Sequence, residues 1–250
     1  MKQKTYLVTG GSAGIGLATT KALLAQGDRV IITGRNKEKL ASVAQSLSGD
    51  LHWLVADSGK LSDSGKLSDL QALGSMLQQE NWHLDGVVLN AGVYQPNVVG
   101  ESTEEAFDYT FDINVKGTFF TIQSLLPVLK KGSSLVVISS LVVEKAFANS
   151  SFYMASKSAL EGLIAGLSLD LADRNIRINS IQPGVTATEI QGKSGMDEAQ
   201  ISDLHQWMSS TPLGRILVPE DIVPSICFLL GDGSVGMRHA KLLIDAGMNL

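Results

Sequence analysis

Two groups of residues in this chain have the types and spacing that chemistry requires. Residues 9–16 read Thr-Gly-Gly-Ser-Ala-Gly-Ile-Gly, between a predicted strand and a predicted helix. Backbone amides at such a glycine-rich turn can hold a phosphate. Far downstream, Tyr153 and Lys157 are four residues apart, so a helix presents the phenol and the ammonium on one face. Together the two groups predict an oxidoreductase that binds a nicotinamide dinucleotide.

Three glycines of the first group, Gly10, Gly14 and Gly16, have a physical use at a turn that follows a strand. Glycine allows a tight turn, lets the backbone approach a pyrophosphate, and lets the helix pack closely on the strand. The free amides and partial positive charge of the helix N-terminus add to the attraction for phosphate. The spacing G-x-x-x-G-x-G differs from the commoner G-x-G-x-x-G fingerprint. The prediction therefore depends on the position of the turn, directly after an apolar strand.

The end of the second predicted strand indicates which dinucleotide is bound. NAD is usually recognised by an acidic side chain about 20 residues after the glycines, which binds the ribose 2′-hydroxyl. Here the strand ends at Arg35, and the first acid, Glu38, comes inside the following helix. A guanidinium suits a 2′-phosphate, and Lys37 and Lys39 add positive charge nearby. The sequence favours NADP(H) over NAD(H); a solvated arginine at a helix start is the alternative.

The composition argues against several classes of function. The chain has 250 residues, 44% of them apolar, and a net charge of −5, so nothing in it attracts nucleic acid or an anionic membrane surface. A single cysteine excludes an internal disulfide and argues against a thiolate metal site, and the four histidines show no ligand spacing. Neither a signal region nor a membrane-spanning run is evident. We expect a cytoplasmic protein that binds no metal.

Short apolar runs alternate with longer helical patterns along the chain. The runs are rich in Val, Ile and Leu, which is typical of strands that helices cover on both faces. Strands are predicted at 5–9, 29–33, 51–55, 86–89, 134–138, 176–181 and 241–244, and helices at 14–26, 36–47, 68–80, 103–130, 151–172 and 219–230. This alternation predicts an α/β fold: one Rossmann-type domain over residues 1–250, with a doubly wound parallel sheet of about seven strands.

Further polar groups fall where ligands bind in such a fold. The fifth predicted strand ends at Ser139 and Ser140, at the carboxyl edge of the sheet. Asn114 lies among apolar neighbours in the middle of a predicted helix, where an amide needs a hydrogen-bond partner. These companions argue against the alternative that Tyr153 and Lys157 merely share a solvated helix face.

With these residues, the whole chain resembles the short-chain dehydrogenase/reductase family, in the group whose chains have this length. Residues 9–16 are similar to the family's cofactor turn, and Leu-Asn-Ala-Gly at 89–92 to its Asn-Ala-Gly motif. The order and spacing of the family's catalytic tetrad are matched by Asn114, Ser140, Tyr153 and Lys157. The resemblance implies that the cofactor contacts Gly10, Ser12, Gly14, Ile15, Gly16, Arg35, Asp57, Ser58, Asn90, Tyr153, Lys157, Pro183, Gly184, Thr186 and Thr188.

The resemblance also implies a mechanism and an assembly. Hydride passes from NADPH to a carbonyl carbon while Tyr153 donates a proton to the oxygen. We expect Lys157 to lower the pKa of Tyr153 from about 10 and to hold the nicotinamide ribose. Ser140 would donate a hydrogen bond to the substrate oxygen, and Asn114 would hold a water that links Lys157 to solvent. In the family the helices predicted here at 103–130 and 151–172 pair between subunits, which implies a homodimer or homotetramer.

A short tandem repeat interrupts the pattern. Residues 58–63, Ser-Gly-Lys-Leu-Ser-Asp, are repeated at once as residues 64–69. Ser68 and Gln71 form a capping box, so the second copy can begin the next helix. We expect the first copy to form an extra surface loop; an artefact of the recorded sequence is the alternative.

The C-terminal segment departs from the family pattern. Members often carry Thr-Gly before the last strand and Asp-Gly-Gly after it, whereas this chain has 236–241, Gly-Met-Arg-His-Ala-Lys, and then Asp-Ala-Gly at 245–247. We expect Arg238 or His239 to face a partner subunit. A catalytic role for His239 is a weaker alternative.

Residues 184–213 are predicted to form an irregular flap that covers the substrate. Few fixed charges accompany its apolar residues, Ile190, Met196, Ile201, Leu204, Trp207 and Met208. We therefore expect the substrate pair to be an apolar or weakly polar carbonyl compound and its alcohol. A reductase of 3-ketoacyl thioesters is an alternative, although no basic entrance for an acyl carrier is evident. A catalytically silent NADP-binding sensor that contacts a partner protein is another, against which the complete tetrad argues.

Overall fold

The computed structural model describes residues 2–57, 59 and 68–250. Within them, seven strands form one parallel sheet in the order β3-β2-β1-β4-β5-β6-β7. The strands are β1 Thr5–Thr9, β2 Arg29–Gly34, β3 Leu51–Val55, β4 Leu84–Leu89, β5 Leu129–Ile138, β6 Arg177–Pro183 and β7 Lys241–Ile244. The loop expected from the first copy of the repeat lies, apart from Gly59, outside the described residues, as does Ser58.

Helices cover both faces of this sheet. They are α1 Gly14–Ala25, α2 Lys37–Ser46, α3 Ser68–Gln79, α4 Glu104–Phe111, α5 Thr118–Leu125, α6 Ser151–Asp170, α7 Ile190–Lys193, α8 Glu198–Met208 and α9 Pro219–Leu230. Helices α3, α5 and α6 pack on one face around Leu77, Leu125 and Ile164. Helices α1, α2 and α9 pack on the other face, where Leu23 and Ile226 are buried. This arrangement confirms the predicted doubly wound α/β fold.

The topology creates a crevice at the carboxyl edge of the sheet. β1 pairs with β2 on one side and with β4 on the other. The crossovers that follow these strands therefore leave in opposite directions, and ligands bind outside the strand ends at such a switch point. The glycine turn after β1, the end of β4 at Leu89 and the end of β5 at Ile138 all open onto this crevice.

The predicted helix over 103–130 is wrong in two respects. A π-helical turn, Asp112–Gly117, separates α4 from α5, and the α-helix ends at Leu125. Pro127 lacks the amide hydrogen that would continue the helix, so a 3-10 turn follows and β5 begins at Leu129 rather than at residue 134. Residues 184–213, predicted to be irregular, contain α7 and α8.

A buried arginine joins β6 to the end of α9. Arg177 is 5% exposed, and its guanidinium donates to the carbonyl oxygens of Leu229 (3.2 Å), Gly231 (3.2 Å) and Ser234 (2.8 Å). The last carbonyls of a helix have no partner inside the helix, and a cation there offsets the negative end of the helix dipole. Arg177 therefore fixes the chain between α9 and β7 against the sheet.

In the described part of the chain, no helix combines the length and the apolarity that a membrane crossing needs. The same residues include no cluster of three or more His, Cys, Asp or Glu side chains that could hold a metal ion.

Candidate active site

A cavity of about 640 Å³ lies over the crevice. Most of the predicted cofactor contacts line it: Gly10, Ser12, Gly14, Ile15, Arg35, Asp57, Asn90, Tyr153, Lys157, Pro183, Gly184, Thr186 and Thr188. Ser140 also lines the cavity, whereas Gly16 and Asn114 lie behind its wall. The fold thus brings residues from the first, middle and last thirds of the chain to one place.

The turn after β1 lines this cavity and is rich in glycine. Gly10 and Gly14 have φ angles of +63° and +50°, in the left-handed region that favours glycine. A Cβ on Gly16 would lie 2.4 Å from the carbonyl oxygen of Gly10. Ala13, the N-cap of α1, provides no side-chain cap, so amides at the helix N-terminus remain for a ligand. This turn fits the pyrophosphate of a dinucleotide, which needs close backbone approach and free amides.

Asn90 ties the end of β4 to the glycine turn. Its Nδ2 donates to the carbonyl oxygens of Thr9 (3.0 Å) and Gly10 (3.3 Å). The backbone amides of Asn90 and Ala91 both donate to Thr9 Oγ1 at 2.9 Å. Asn90 therefore holds the two strand ends together at the crevice, and its side-chain amide is engaged by the turn.

Charged side chains surround the mouth of the cavity beside α2. Arg35 is exposed, lines the cavity, and makes no hydrogen bond or ion pair with any residue that the structure describes. Lys39 is already engaged: its Nζ lies 2.5 and 2.7 Å from the carboxylate oxygens of Glu189. Lys193 holds the same carboxylate at 2.7 Å. Of the cations expected near a 2′-phosphate, Arg35 remains available, and Lys37 does not line the cavity.

Tyr153 lies in the first turn of α6, close to the strand-end serine. Ser140 lies near Tyr153 and lowers the pKa of its phenol, and the ring of Tyr94 meets that of Tyr153 edge-on with centroids 5.1 Å apart. Lys157 is 5% exposed, and its Nζ lies 5.6 Å from the Tyr153 ring centroid. The same Nζ donates to the carbonyl oxygen of Ile138 at 2.8 Å. The phenol, the hydroxyl and the ammonium thus meet at one end of the cavity.

Asn114 occupies the π-helical turn and supports this group from behind. Its Oδ1 accepts from the amide of Val93 (2.8 Å), and its Nδ2 donates to the carbonyl oxygen of Val93 (3.0 Å) and to Ser156 Oγ (3.0 Å). A Cβ on Gly92 would lie 3.2 Å from Asn114 Oδ1 and 3.6 Å from Lys157 Nζ. Glycine at position 92 therefore keeps open the space between the amide and the ammonium.

Burial controls the acidities of the phenol and the ammonium. Burial raises the pKa of Tyr153 to about 12, and the nearby Ser140 hydroxyl only partly opposes it. Burial lowers the pKa of Lys157 to about 8, against the influence of the Glu161 carboxylate. The expectation that the pKa of Tyr153 falls below its usual value of about 10 is wrong for this structure, because desolvation raises that pKa more than the neighbouring groups lower it. At neutral pH the phenol is a proton donor and the amine is charged.

Comparison with known proteins identifies the family. The model of the family described as enoyl-(acyl carrier protein) reductase matches residues 10–249. The 3-oxoacyl-[acyl-carrier-protein] reductase FabG of Chlamydia trachomatis is 32% identical over 248 residues, which cover 98% of this chain and 97% of that protein. The chain belongs to the short-chain dehydrogenase/reductase family. It is therefore an oxidoreductase of a family that uses a nicotinamide cofactor.

Two solved structures show the same fold. A short-chain dehydrogenase/reductase from Serratia marcescens is 28% identical and superposes with a TM-score of 0.86, covering 99% of this chain and 98% of that one. A blue fluorescent protein from a metagenomic library, in complex with NADPH, is 27% identical with a TM-score of 0.85, covering 98% and 97%.

Apolar and aromatic side chains also line the cavity. They are Val93, Tyr94, Leu141, Val142, Phe147, Met196, Leu204 and Trp207. Of the residues predicted in the flap, Ile190, Met196, Leu204 and Trp207 line the cavity. Met208 instead packs in a buried cluster with Leu141, Ile216 and Met248, which anchors α8. The charged side chains that line the cavity are Lys157 beside Tyr153, and Arg35, Lys39, Asp57, Glu189 and Lys193.

Sequence reasoning missed Asn97 and Glu161 near the tetrad, and it named Ser139 only as the neighbour of Ser140. Ser139 is 3% exposed and lines the cavity, and its Oγ has no hydrogen-bond partner among the described residues. Asn97, also buried, accepts from the amide of Phe152 (3.1 Å) and donates to Ser151 Oγ (2.8 Å), which fixes the start of α6. Glu161 is a buried acid in an otherwise apolar stretch four residues after Lys157, and that spacing was a signal that could have found it.

Arg238 and His239 lie away from this cavity. Arg238 donates to Asn175 Oδ1 at 2.5 Å on the surface, and neither residue lines the cavity. His239 has a φ of +54°, and Ala246, where the family often has glycine, has a φ of +59°. The alternative of a catalytic His239 has no support in this geometry, while contact of either residue with a partner subunit stays a prediction.

Proposed function

We propose that this oxidoreductase interconverts a carbonyl compound and its alcohol, with NADP(H) as cofactor and Tyr153 as general acid and base. The observation that carries the proposal is the meeting of Tyr153, Ser140 and Lys157 at one end of a cavity whose other end presents the glycine turn and Arg35. A bound nicotinamide supplies hydride to the carbonyl carbon.

The chain's own residues account for the proton. Tyr153, protonated at neutral pH because burial raises its pKa, donates to the developing alkoxide. Ser140 donates a hydrogen bond to the same oxygen, so the charge develops against a fixed dipole. Lys157 places a positive charge beside the phenolate that forms. Asn114 Oδ1 and Lys157 Nζ flank the open space at Gly92, which favours a proton path between them.

The cofactor proposal depends on Arg35. Its guanidinium lines the cavity near the glycine turn without a partner in the described part of the chain, as a residue awaiting a 2′-phosphate would. We propose that Asp57, which also lines the cavity, meets the adenine. The NADPH complex of the metagenomic relative supports the same choice, with NAD(H) as the weaker alternative.

The substrate proposal follows from the apolar and aromatic side chains that line the cavity. An apolar or aromatic ketone or aldehyde matches side chains such as Tyr94, Phe147 and Trp207. We propose that residues 184–213 form the flap that covers it, within a single domain spanning 1–250. A 3-ketoacyl thioester is a second candidate substrate, which the similarity to the Chlamydia reductase favours.

We also propose that the protein works in the cytoplasm as a homodimer or homotetramer. The single cysteine suits a reducing compartment. The apolar groove between α5 and α6, lined by Val115, Phe119, Phe120 and Leu163, suits a contact between copies of the chain.

Replacing Tyr153 by phenylalanine tests the mechanism. Tyr153→Phe removes only the acidic hydroxyl, so we expect turnover to fall by at least about a hundredfold while NADPH binds with unchanged affinity. NADPH oxidation with a panel of apolar ketones, aldehydes and one 3-ketoacyl thioester measures turnover, and cofactor fluorescence measures binding.

Tyr109→Phe, on the exposed side of α4, is the matched control and should be unaffected. Normal turnover in Tyr153→Phe would contradict the proposed mechanism. Absence of turnover with every member of the panel in the unaltered protein would favour the sensor alternative.

A further inference from the structure

A buried carboxylate lies one helical turn beyond Lys157. Glu161 is 5% exposed, between α6 and β6. Its Oε1 lies 3.2 Å from Gln182 Nε2 and its Oε2 lies 3.1 Å from Ser180 Oγ. Ser180 and Gln182 are two residues apart on β6, so they present their side chains to the same face of the sheet. The carboxylate therefore sits between two side-chain hydroxyl and amide groups.

Both oxygens of the Glu161 side chain accept hydrogen bonds from neutral groups of β6. An amide nitrogen can only donate, so Oε1 accepts from Gln182, and Oε2 is left to accept from the Ser180 hydroxyl. Two hydrogen bonds alone do not offset the free energy of burying a negative charge, which needs a nearby cation. Lys157, one helical turn away, is the one cation on α6. Its ammonium donates to the carbonyl oxygen of Ile138 and forms no ion pair with Glu161, so the two buried groups act on each other through space.

Lys157 has few other partners. Its Nζ donates to the carbonyl oxygen of Ile138, which is neutral. The described titratable groups that face it are Tyr153 one turn earlier and Glu161 one turn later, both on α6, and Tyr94 behind the Tyr153 ring. Charged residues of the neighbouring elements have other partners: Asp112 pairs with Lys116 in the π-helical turn, Lys130 of β5 pairs with Asp85, and Arg177 of β6 binds carbonyls after α9. Burial lowers the pKa of Lys157, and the Glu161 carboxylate raises it.

We infer that Glu161 is a positioning residue that keeps Lys157 charged and in place beside Tyr153. The inference rests on the proposed function, in which the Lys157 ammonium stabilises the phenolate. Without the carboxylate, a buried amine with one neutral acceptor loses its proton near neutral pH, and the positive charge that the proton transfer uses is lost.

The substitution Glu161→Gln tests this inference directly, because glutamine keeps the size and hydrogen bonding of the side chain and removes its charge. In cofactor-free protein labelled with ¹³C-lysine, the Cε resonance of Lys157, assigned by its loss in Lys157→Met, should titrate at about pH 8. In Glu161→Gln the midpoint should fall by about one pH unit or more, and in Glu220→Gln, an exposed acid on α9, it should not move. An unchanged midpoint in Glu161→Gln overturns the inference.

Enzyme activity gives the second readout. In the unaltered protein, kcat/KM for carbonyl reduction should fall as pH rises and Lys157 loses its proton. In Glu161→Gln this fall should come at lower pH, with kcat recovered on the acid side. A structural defect would lower activity at every pH, and that result also counts against the inference.

If Glu161→Gln does not fold, Lys157→Met provides the same test from the other side, because coupling between two groups is reciprocal. The Glu161 carboxyl resonance should then titrate at higher pH than in the unaltered protein, and an unchanged titration overturns the inference. Both titrations are independent of Tyr153. Turnover that survives in Tyr153→Phe would therefore refute the proposed mechanism without deciding the charge coupling.

Discussion

Among single residues, Arg35 is the one on which our proposal of NADP(H) depends. It follows Gly34, the last residue of β2, and lines the cavity as an exposed side chain. Lys39, the other basic side chain of α2 at the cavity, is bound to Glu189. No acidic side chain stands at the strand end to bind a ribose 2′-hydroxyl. We therefore propose that selectivity between the two dinucleotides depends on the guanidinium of Arg35.

Arg35→Ala should weaken NADPH binding by about 10- to 100-fold, the value of one or two charge-assisted hydrogen bonds. NADH, which has no 2′-phosphate, should bind with nearly unchanged affinity. Fluorescence titration of cofactor-free protein with both dinucleotides measures this, and Lys37→Ala, outside the cavity, is the control. Equal affinity of the unaltered protein for NADPH and NADH would refute the assignment.

Two contacts between elements cross the mouth of the cavity. Gly14, at the start of α1, approaches Thr188 so closely that a Cβ would lie 3.1 Å from Thr188 Cγ2. Beside it, Lys39 of α2 binds Glu189, which precedes α7. The segment after β6 thus meets α1 and α2 over the region where the pyrophosphate would lie. We expect this bridge to slow release of the cofactor.

The substitution Glu189→Gln shows whether Glu189 retains the cofactor by binding Lys39 or repels the phosphates of the cofactor, because the two roles change the rate of NADPH release in opposite directions. Loss of the bridge should speed NADPH release about two- to fivefold, the value of a half-exposed ion pair. If Glu189 only repelled the cofactor's phosphates, its removal would slow release, and that outcome would contradict us. Stopped-flow displacement measures the rate, with Glu38→Gln, an acid of α2 outside the cavity, as the control.

At the scale of elements, much of the fold could be predicted and some could not, for physical reasons. β1, β3 and β7 have the predicted bounds, because turn residues on either side define where each apolar run begins and ends. The π-helical turn that contains Asn114 could not be predicted. A buried amide in a helix indicates that it has a hydrogen-bond partner, but it does not indicate an extra residue in the turn. The pKa of Tyr153 depends on burial, which tertiary packing decides and spacing does not reveal.

On the surface of the whole molecule, an apolar groove between helices has no partner in the described chain. Phe111, Val115, Phe119 and Leu163 line a groove between α5 and α6, with Phe120 38% exposed beside them. An apolar groove of aromatic side chains is unfavourable in water unless another surface covers it. The family resemblance predicts that a second copy of the chain does so.

The protein should therefore have the mass of a dimer or tetramer at micromolar concentration, measured by light scattering after gel filtration. Phe120→Glu places a charge in the groove and should shift the mass towards the monomer. Val99→Glu changes an exposed apolar residue outside the groove and should leave the mass unchanged. A monomeric mass for the unaltered protein would contradict the assembly.

The hydrogen bonds of Arg177 bear on how the protein folds during its synthesis. The buried guanidinium donates to the carbonyls of Leu229, Gly231 and Ser234. Before those residues leave the ribosome, packing β6 into the sheet would bury a cation without hydrogen-bond partners, which is unfavourable. β6 is also the strand that leads to Pro183 and Gly184 in the cavity wall. We therefore expect the cavity to form only after nearly the whole chain has been synthesised.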